Sequence, residues 1–384
     1  MTAPVPMPRA GRVVVASDSF KGSLTSAQVG AAVRAGILDV VPDAVVTVVP
    51  VADGGEGTVA AALATGYEPV AATVHGPTGE LHTTTLAWHQ GAGTAVVELA
   101  DACGLGRLAG GVAAPLTASS RGLGDALRAA LGLGPRLLVV GVGGSASTDG
   151  GAGMLSALGA RVLDDAGAEV PDGGAALERV ARLDPSALDP RLRAVDLVLA
   201  ADVTNPLLGP RGAAAVFGPQ KGAGPGDVRR LEAGLATWAE VVGGGWAEQP
   251  GAGAAGGVGF ALMAVLGAQR RPGVDVVLDL ASADDLLAGA DLVVTGEGSL
   301  DGQTASGKAV AGVARRARAA GVPVVAVCGR NRLSDSETHG LGLDVAYALS
   351  DLEPDPARSM ADAAALLRLV GARIAREGLS RAPG

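Results

Sequence analysis

Six apolar runs that end in glycines and polar residues constrain this chain more than any other feature. They are "RVVVA" (12–16), "AVVTVVPV" (44–51), "RLLVVGVGG" (136–144), "DLVLAADV" (196–203), "ADLVVTGEG" (290–298) and "VPVVAVCG" (322–329). A continuous apolar run has no face to offer water, so as a strand it must be covered on both sides; such runs between helical segments predict parallel sheets flanked by helices. The helical pattern over 26–38 fits this grammar: Thr25 and Gln28 form a capping-box pair, and Val29, Val33 and Ile37 make one apolar stripe. Further helices are expected over 308–320 and 360–376, and a strand over 344–350.

The region 70–100 differs, because "VAATVHG", "HTTTLAWH" and "TAVVELA" alternate apolar and polar residues at short spacing, the pattern of antiparallel or mixed pairing. The expected fold is therefore α/β: a Rossmann-like or flavodoxin-like parallel-sheet domain, built from 1–75 and 288–384, interrupted by a second α/β domain with a mixed sheet over 76–287. A chain of 384 residues is long enough for both cores.

Charge and composition exclude several functions. A net charge of -9 with 2% aromatic residues leaves neither a broad phosphate-backbone footprint nor a set of base-stacking platforms, so no nucleic-acid partner is expected. Nothing reads as a leader with an apolar core, and no run of 18 apolar residues occurs, so no membrane association is expected. Cys103 and Cys328 form no CxxC pair and read as free thiols of a reducing compartment; the expected location is the cytoplasm. The sequence leaves a homodimer open.

The polar residues gather where open α/β sheets bind ligands, just past the carboxyl ends of strands. "SDSFKGS" carries Asp18, Ser19, Lys21 and Ser23, and "ADGGEGT" carries Asp53, Gly54, Gly55 and Glu56. "GVGGSASTDGGAG" carries Gly143, Gly144, Ser145 and Asp149, "ADVTNPLLGPRGAAAVFGPQKGA" carries Asp202, Asn205 and Lys221, and "GEGSLDGQTASGK" carries Glu297, Asp301, Gln303, Thr304 and Lys308. Of 30 Lys and Arg residues only Lys21, Lys221 and Lys308 are lysines, and all three sit in these glycine-rich loops. Glycine lets backbone N–H groups approach an anion, lysine neutralises phosphate, and carboxylates suit Mg²⁺ or a hydroxyl proton. The mixture points to phosphoryl transfer. Gly302, Gly307 and Lys308 nearly complete a P-loop, but Ala309 stands where that motif needs a hydroxyl for Mg²⁺. Zinc-ligand spacing, a nucleophile elbow and a dinucleotide fingerprint are all missing from the sequence.

Taken together, "DSFKGSL" (18–24), "ADGGEGT" (52–58), "GGSASTDGGAGM" (143–154), the 201–223 loop, "GAAGGVGFAL" (253–262) and "TGEGSLDGQTASGKAVAGVA" (295–314) resemble the bacterial glycerate kinase family, in order and across nearly the whole chain. The resemblance implies ATP-dependent, Mg²⁺-assisted phosphorylation of D-glycerate between two domains, with 2-phosphoglycerate expected over 3-phosphoglycerate. The alternatives are a kinase for another small hydroxy acid and a non-catalytic hydroxy-acid binder. On this resemblance Lys21 and Lys308 neutralise charge, Asp53 or Asp202 takes the hydroxyl proton, and Ser19, Ser23, Asn205, Glu297, Asp301, Gln303 and Thr304 contact substrate. Gly54, Gly55, Glu56, Gly143, Gly144, Ser145 and Lys221 are expected at the nucleotide, with Asp149 and Glu297 as metal ligands. Departures from the family's pattern are Ser299, where Arg is frequent, "SASTD" at 145–149, and Arg121, which could supply the arginine missing at 299.

Overall fold

Arg12–Ser17 buries every residue after the first, because helices cover both faces of the sheet it joins. The computed structural model describes residues 11–302, 304 and 309–379. In chain order its strands are β1 (Arg12–Ser17), β2 (Val45–Val48), β3 (Glu68–His75), β4 (Leu81–His89), β5 (Thr94–Glu98), β6 (Leu137–Gly141), β7 (Arg161–Leu163), β8 (Arg182–Asp184), β9 (Asp196–Ala200), β10 (Gln269–Arg271), β11 (Leu292–Leu300), β12 (Val324–Asn331) and β13 (Val345–Ala348). They fall into two compact units, Met1–Asp53 with Val274–Gly384, and Gly54–Gly273.

In the first unit a five-stranded sheet runs β13-β12-β11-β1-β2, every pairing parallel. Counted within the unit, this is the flavodoxin-like order, which resolves the two expected alternatives. The chain's two ends meet where β1 pairs with β11, with Val14 opposite Val293 and Ser17 opposite Gly296. From β1 the chain proceeds outward to β2, and from β11 it proceeds the other way to β12 and β13. This reversal is a topological switch point, which opens a crevice beyond the strands' carboxyl ends.

The helices Ser26–Val40 and Ala363–Leu379 cover one face, packing Val33, Ile37, Leu367 and Val370 onto β1 and β11. The first begins with the expected capping box: Thr25 Oγ1 accepts from Gln28 N at 3.3 Å and Gln28 Oε1 accepts from Thr25 N at 2.9 Å. The two helices touch through glycines. A Cβ on Gly36 would stand 1.9 Å from the Arg368 carbonyl oxygen, and one on Gly371 2.3 Å from that of Val33. Because backbone cannot yield as a side chain can, Gly36→Val is expected to lower the unit's melting temperature by about 5–10 °C, read by circular dichroism.

The second unit holds a six-stranded sheet, β10-β9-β6-β5-β4-β3, parallel from β10 to β5 and antiparallel from β5 to β3. The alternating strands of 70–100 thus form the antiparallel part, as their pattern predicts. A separate hairpin pairs β7 with β8.

The domain boundaries differ from those expected at 75 and 288. The segment 54–75 reads as a continuation of the opening β-α grammar, but helix Thr58–Ala64 packs on β5 and β4, and β3 pairs with β4. At the other end Val274, Leu278 and Leu287 enter the core beneath helix Ala309–Ala319. Partners distant in sequence decide both memberships.

Candidate active site

The crevice at the switch point is a pocket of about 350 Å³ within the first unit, in the size range of small-molecule sites. Three chain segments that leave the carboxyl ends of parallel strands supply its polar side. Asp18, Ser19, Lys21 and Ser23 follow β1, Asp53 follows β2, and Glu297, Ser299 and Asp301 come from the end of β11 and the turn beyond it. Phe20, Leu349, Met360 and Ala363 form an apolar wall.

The loop after β1 is held rigidly for a reason visible in its residues. Phe20 N and Leu24 N exchange hydrogen bonds with each other's carbonyls at 2.8 and 2.9 Å, and Gly22 takes the left-handed conformation (φ 78°) that closes the turn. Phe20 is buried, which turns Lys21 outward. Asp18 N donates to the Gly296 carbonyl at 2.9 Å, tying the loop to β11. Ser26 Oγ donates to the Ser17 carbonyl at 2.6 Å and accepts from Val51 N at 3.0 Å, tying β1 to the segment that ends at Asp53. Ser23, expected at the substrate, spends its hydroxyl on the Met360 carbonyl at 2.7 Å and so anchors the loop to helix Pro356–Ala361.

Asp18 is half-buried, and its Oδ1 accepts from Ser19 N at 2.6 Å. Burial, reinforced by the charge of Asp53, pushes its carboxyl up to about 6, against the Ser19 N–H and the Lys21 ammonium. Thr304 is fully buried and organises the far side: its Oγ1 accepts from Asp301 N at 3.0 Å and donates to Glu297 Oε1 at 2.5 Å. It therefore holds the Glu297 carboxylate and the Asp301 main chain instead of facing a ligand with its own hydroxyl. Gln303 and Lys308 lie outside the described residues. Asp18 was legible in the motif but was not singled out; its signal is that it opens the loop past β1.

The second unit places the remaining expected residues differently. Lys221 is 3% exposed; its Nζ donates to Ser145 Oγ at 2.8 Å and to the Ser147 carbonyl at 2.5 Å. Burial pushes the ammonium down to about 7 against the opposing charge of Asp149. Lys221 and Ser145 are thus buried against each other, at 3% and 5% exposure, and face the interior of the loop. Asp149 is wholly buried: Oδ2 accepts from Ser120 N and Oγ, both at 2.8 Å, and from Gly153 N at 3.3 Å, while Oδ1 accepts from Gly151 N at 3.2 Å. Four protein donors fill the place the metal was expected to take, so Asp149 is a loop lock. Among the described residues no group of three or more His, Cys, Asp or Glu is placed to hold a metal ion.

Asp202 Oδ1 accepts from Gly273 N at 2.7 Å, and Asn205 Nδ2 donates to the Arg211 carbonyl at 2.8 Å, a bond within its own loop. Arg121 is forked onto Asp172, Nε to Oδ2 at 2.6 Å and Nη2 to Oδ1 at 2.9 Å, so the guanidinium expected to compensate for Ser299 is already paired. Gly54 and Gly143 serve close approach: a Cβ on Gly54 would meet the Ala200 carbonyl oxygen at 2.5 Å and one on Gly143 the Gly55 Cα at 2.4 Å. Gly144 and Glu56 remain exposed.

Glu98, which sequence reasoning passed over as a strand residue, pins the 54–58 loop. Its carboxylate accepts from Gly57 N at 3.1 Å and from Val59 N at 3.0 Å, at the start of helix Thr58–Ala64. Burial pushes it from 4.5 up to about 7, opposed by those N–H groups and reinforced by the charges of Asp101 and Glu56. A raised folded-state value means that the stability it lends is complete below the unfolded value and is lost as pH rises through the folded one. The stability difference between wild type and Glu98→Gln, read in thermal melts, is thus expected to move in the wild type's favour by on the order of 2 kcal/mol as pH falls from 8 to 5.

A sequence model of the glycerate kinase family matches residues 13–378. The chain is 41% identical over 343 residues to the glycerate kinase of Bacillus subtilis (strain 168), covering 88% of this chain and 90% of that one. It is 40% identical to the glycerate 2-kinase of Escherichia coli (strain K12), again over 88% and 90%. A crystal structure from Salmonella typhimurium LT2, described as a candidate glycerate kinase 2, superposes with a TM-score of 0.82 at 40% identity, covering 96% of this chain and 98% of that one.

Proposed function

The chain belongs to the glycerate kinase family, and from that premise we propose that it transfers the γ-phosphoryl group of ATP to D-glycerate, with 2-phosphoglycerate as product. The observation that carries this reading is the gathering of Lys21, Asp18, Asp53, Glu297 and Asp301 around one pocket at the switch point. A kinase must clamp a carboxylate substrate, receive a hydroxyl proton and offset charge on the moving phosphoryl group; this set contains a group for each task. Lys21 neutralises phosphoryl charge, Ser19 and Ser299 bind substrate oxygens, and a pocket carboxylate takes the proton. The apolar wall of Phe20, Leu349 and Met360 suits the substrate's carbon chain.

The described lining sets four carboxylates against one lysine, which disfavours a doubly anionic reactant pair unless a cation comes with it. Glu297 and Asp301 are hard oxygen donors of the kind Mg²⁺ takes together with nucleotide phosphates; when bound, the ion would neutralise charge between the β- and γ-phosphates. Within the second unit, Gly144 in the turn beyond β6 and Glu56 are exposed, and we keep them as nucleotide contacts. The buried free thiols Cys103 and Cys328 suit a cytoplasmic enzyme.

The test is to incubate purified protein with D-glycerate and Mg-ATP and resolve the phosphoglycerate isomers by NMR. We expect 2-phosphoglycerate. ADP formed no faster with glycerate than without it would overturn the assignment, while faster turnover of another hydroxy acid in a substrate panel would replace the substrate.

A further inference from the structure

We propose that Asp18 is the catalytic residue that takes the proton from the substrate hydroxyl as the phosphoryl group arrives. This rests on the kinase reading above. Asp18 follows β1 directly at the switch point, and its main chain is fixed to the end of β11 through the Gly296 carbonyl at 2.9 Å. Its Oδ1 accepts from Ser19 N–H at 2.6 Å, the Ser19 side chain also lends the carboxylate hydrogen-bond support, and Asp18 lines the pocket. A carboxylate oriented by hydrogen bonds at the wall of a pocket is the arrangement a general base needs.

The two carboxylate residues from the end of β11 are the pair assigned above to Mg²⁺, and both are placed by Thr304. Glu297 is engaged by the Thr304 hydroxyl at 2.5 Å, and Asp301 sits on the same threonine through its backbone at 3.0 Å. The charged groups lining the pocket with Asp18 are Lys21, Asp53, Glu297 and Asp301. Burial and the neighbouring Asp53 charge raise the basicity of Asp18 to about 6, while it still stands ionised at neutral pH. In the step, the substrate O–H bond breaks and its proton goes to the Asp18 carboxylate. The oxygen's electron pair forms the new O–P bond, and the bond from the γ-phosphorus to the bridging oxygen breaks, its electrons leaving with ADP. The protonated Asp18 then returns its proton to water.

The experiment compares wild type, Asp18→Asn, Asp18→Glu and Asp53→Asn with D-glycerate and Mg-ATP across pH 5 to 9, with glycerate binding measured by calorimetry. In Asp18→Asn we expect kcat to fall about a thousandfold while glycerate Kd changes less than about threefold. Wild-type kcat/KM should fall below about pH 6, that fall should be absent from the residual activity of Asp18→Asn, and Asp18→Glu should recover part of the rate. Asp53→Asn should move that acid limb to lower pH, because removing the neighbouring charge lowers the basicity of Asp18. Asp18→Asn within tenfold of wild type, an acid limb that persists in it, or an acid limb unmoved in Asp53→Asn would each overturn the proposal while leaving the kinase reading intact. If Asp18→Asn does not fold, the Asp53→Asn limb decides. Wild type inert toward glycerate would overturn both.

Discussion

Lys21→Ala is expected to lower kcat/KM for phosphorylation of D-glycerate by about a thousandfold, with the melting temperature changed by less than about 2 °C. Two features of the structure combine here. Lys21 is exposed at the tip of a turn whose own bonds come from backbone groups and whose anchor is Phe20, so removing its side chain leaves the loop standing. Yet it is the one lysine of the described pocket, facing a lining of four carboxylates. An exposed ammonium opposite such a surface matters most when negative charge shifts between phosphoryl oxygens. Lys21→Arg should recover little, because a planar fork does not replace a compact point charge. A coupled ADP assay with parallel thermal melts reads both quantities, and activity of Lys21→Ala within tenfold of wild type would remove it from the catalytic set.

Asp149→Ala should be the most damaging single change to the second unit, costing about 4 kcal/mol and lowering its melting transition by about 10 °C. The carboxylate has no exposure and accepts from Ser120 N and Oγ, Gly151 N and Gly153 N. Truncation strands these donors in a dry interior, where each unmet N–H costs the desolvation that folding imposed on it. Asp149→Asn should fall between, since the amide oxygen can still accept while its NH₂ faces donors. A metal ligand would behave otherwise: its loss would raise the Mg²⁺ concentration needed for half-maximal rate and leave the melt alone. Thermal denaturation beside a Mg²⁺ titration of the rate separates the two roles, and an unchanged melt in Asp149→Ala would restore the metal reading.

Lys221 and Asp149 mark the limit of what loop composition conveys. Glycine, hydroxyl and charge side by side are what an anion cradle needs, and equally what a buried loop needs to satisfy its own backbone. Lys21 and Lys221 look alike in "FKG" and "QKG", yet one points outward and the other is 3% exposed on Ser145 and Ser147. The difference lies in what packs behind each loop, and those neighbours are distant in sequence. Asp18 poses the opposite problem. It was visible in "DSFKGS", but its altered basicity arises from burial and from Asp53, which reaches the same pocket by way of β2.

What could be read from the residues alone was the material of the fold: Val-rich runs that need cover on both faces, alternating strands that do not, a capping box at Thr25, and polar loops past strand ends. Each depends on neighbours a few residues away, where hydrophobic period and backbone chemistry leave little choice. The flavodoxin-like order, the transfer of 54–75 to the second unit, the meeting of β1 with β11, and the division of five similar loops into three that reach one pocket and two that are locked were decided by tertiary contacts. Those contacts join residues up to hundreds of positions apart. No local pattern can encode which of two equally apolar strands becomes the neighbour, or which of two equally polar loops is covered, because both follow from the free energy of burying the whole surface at once.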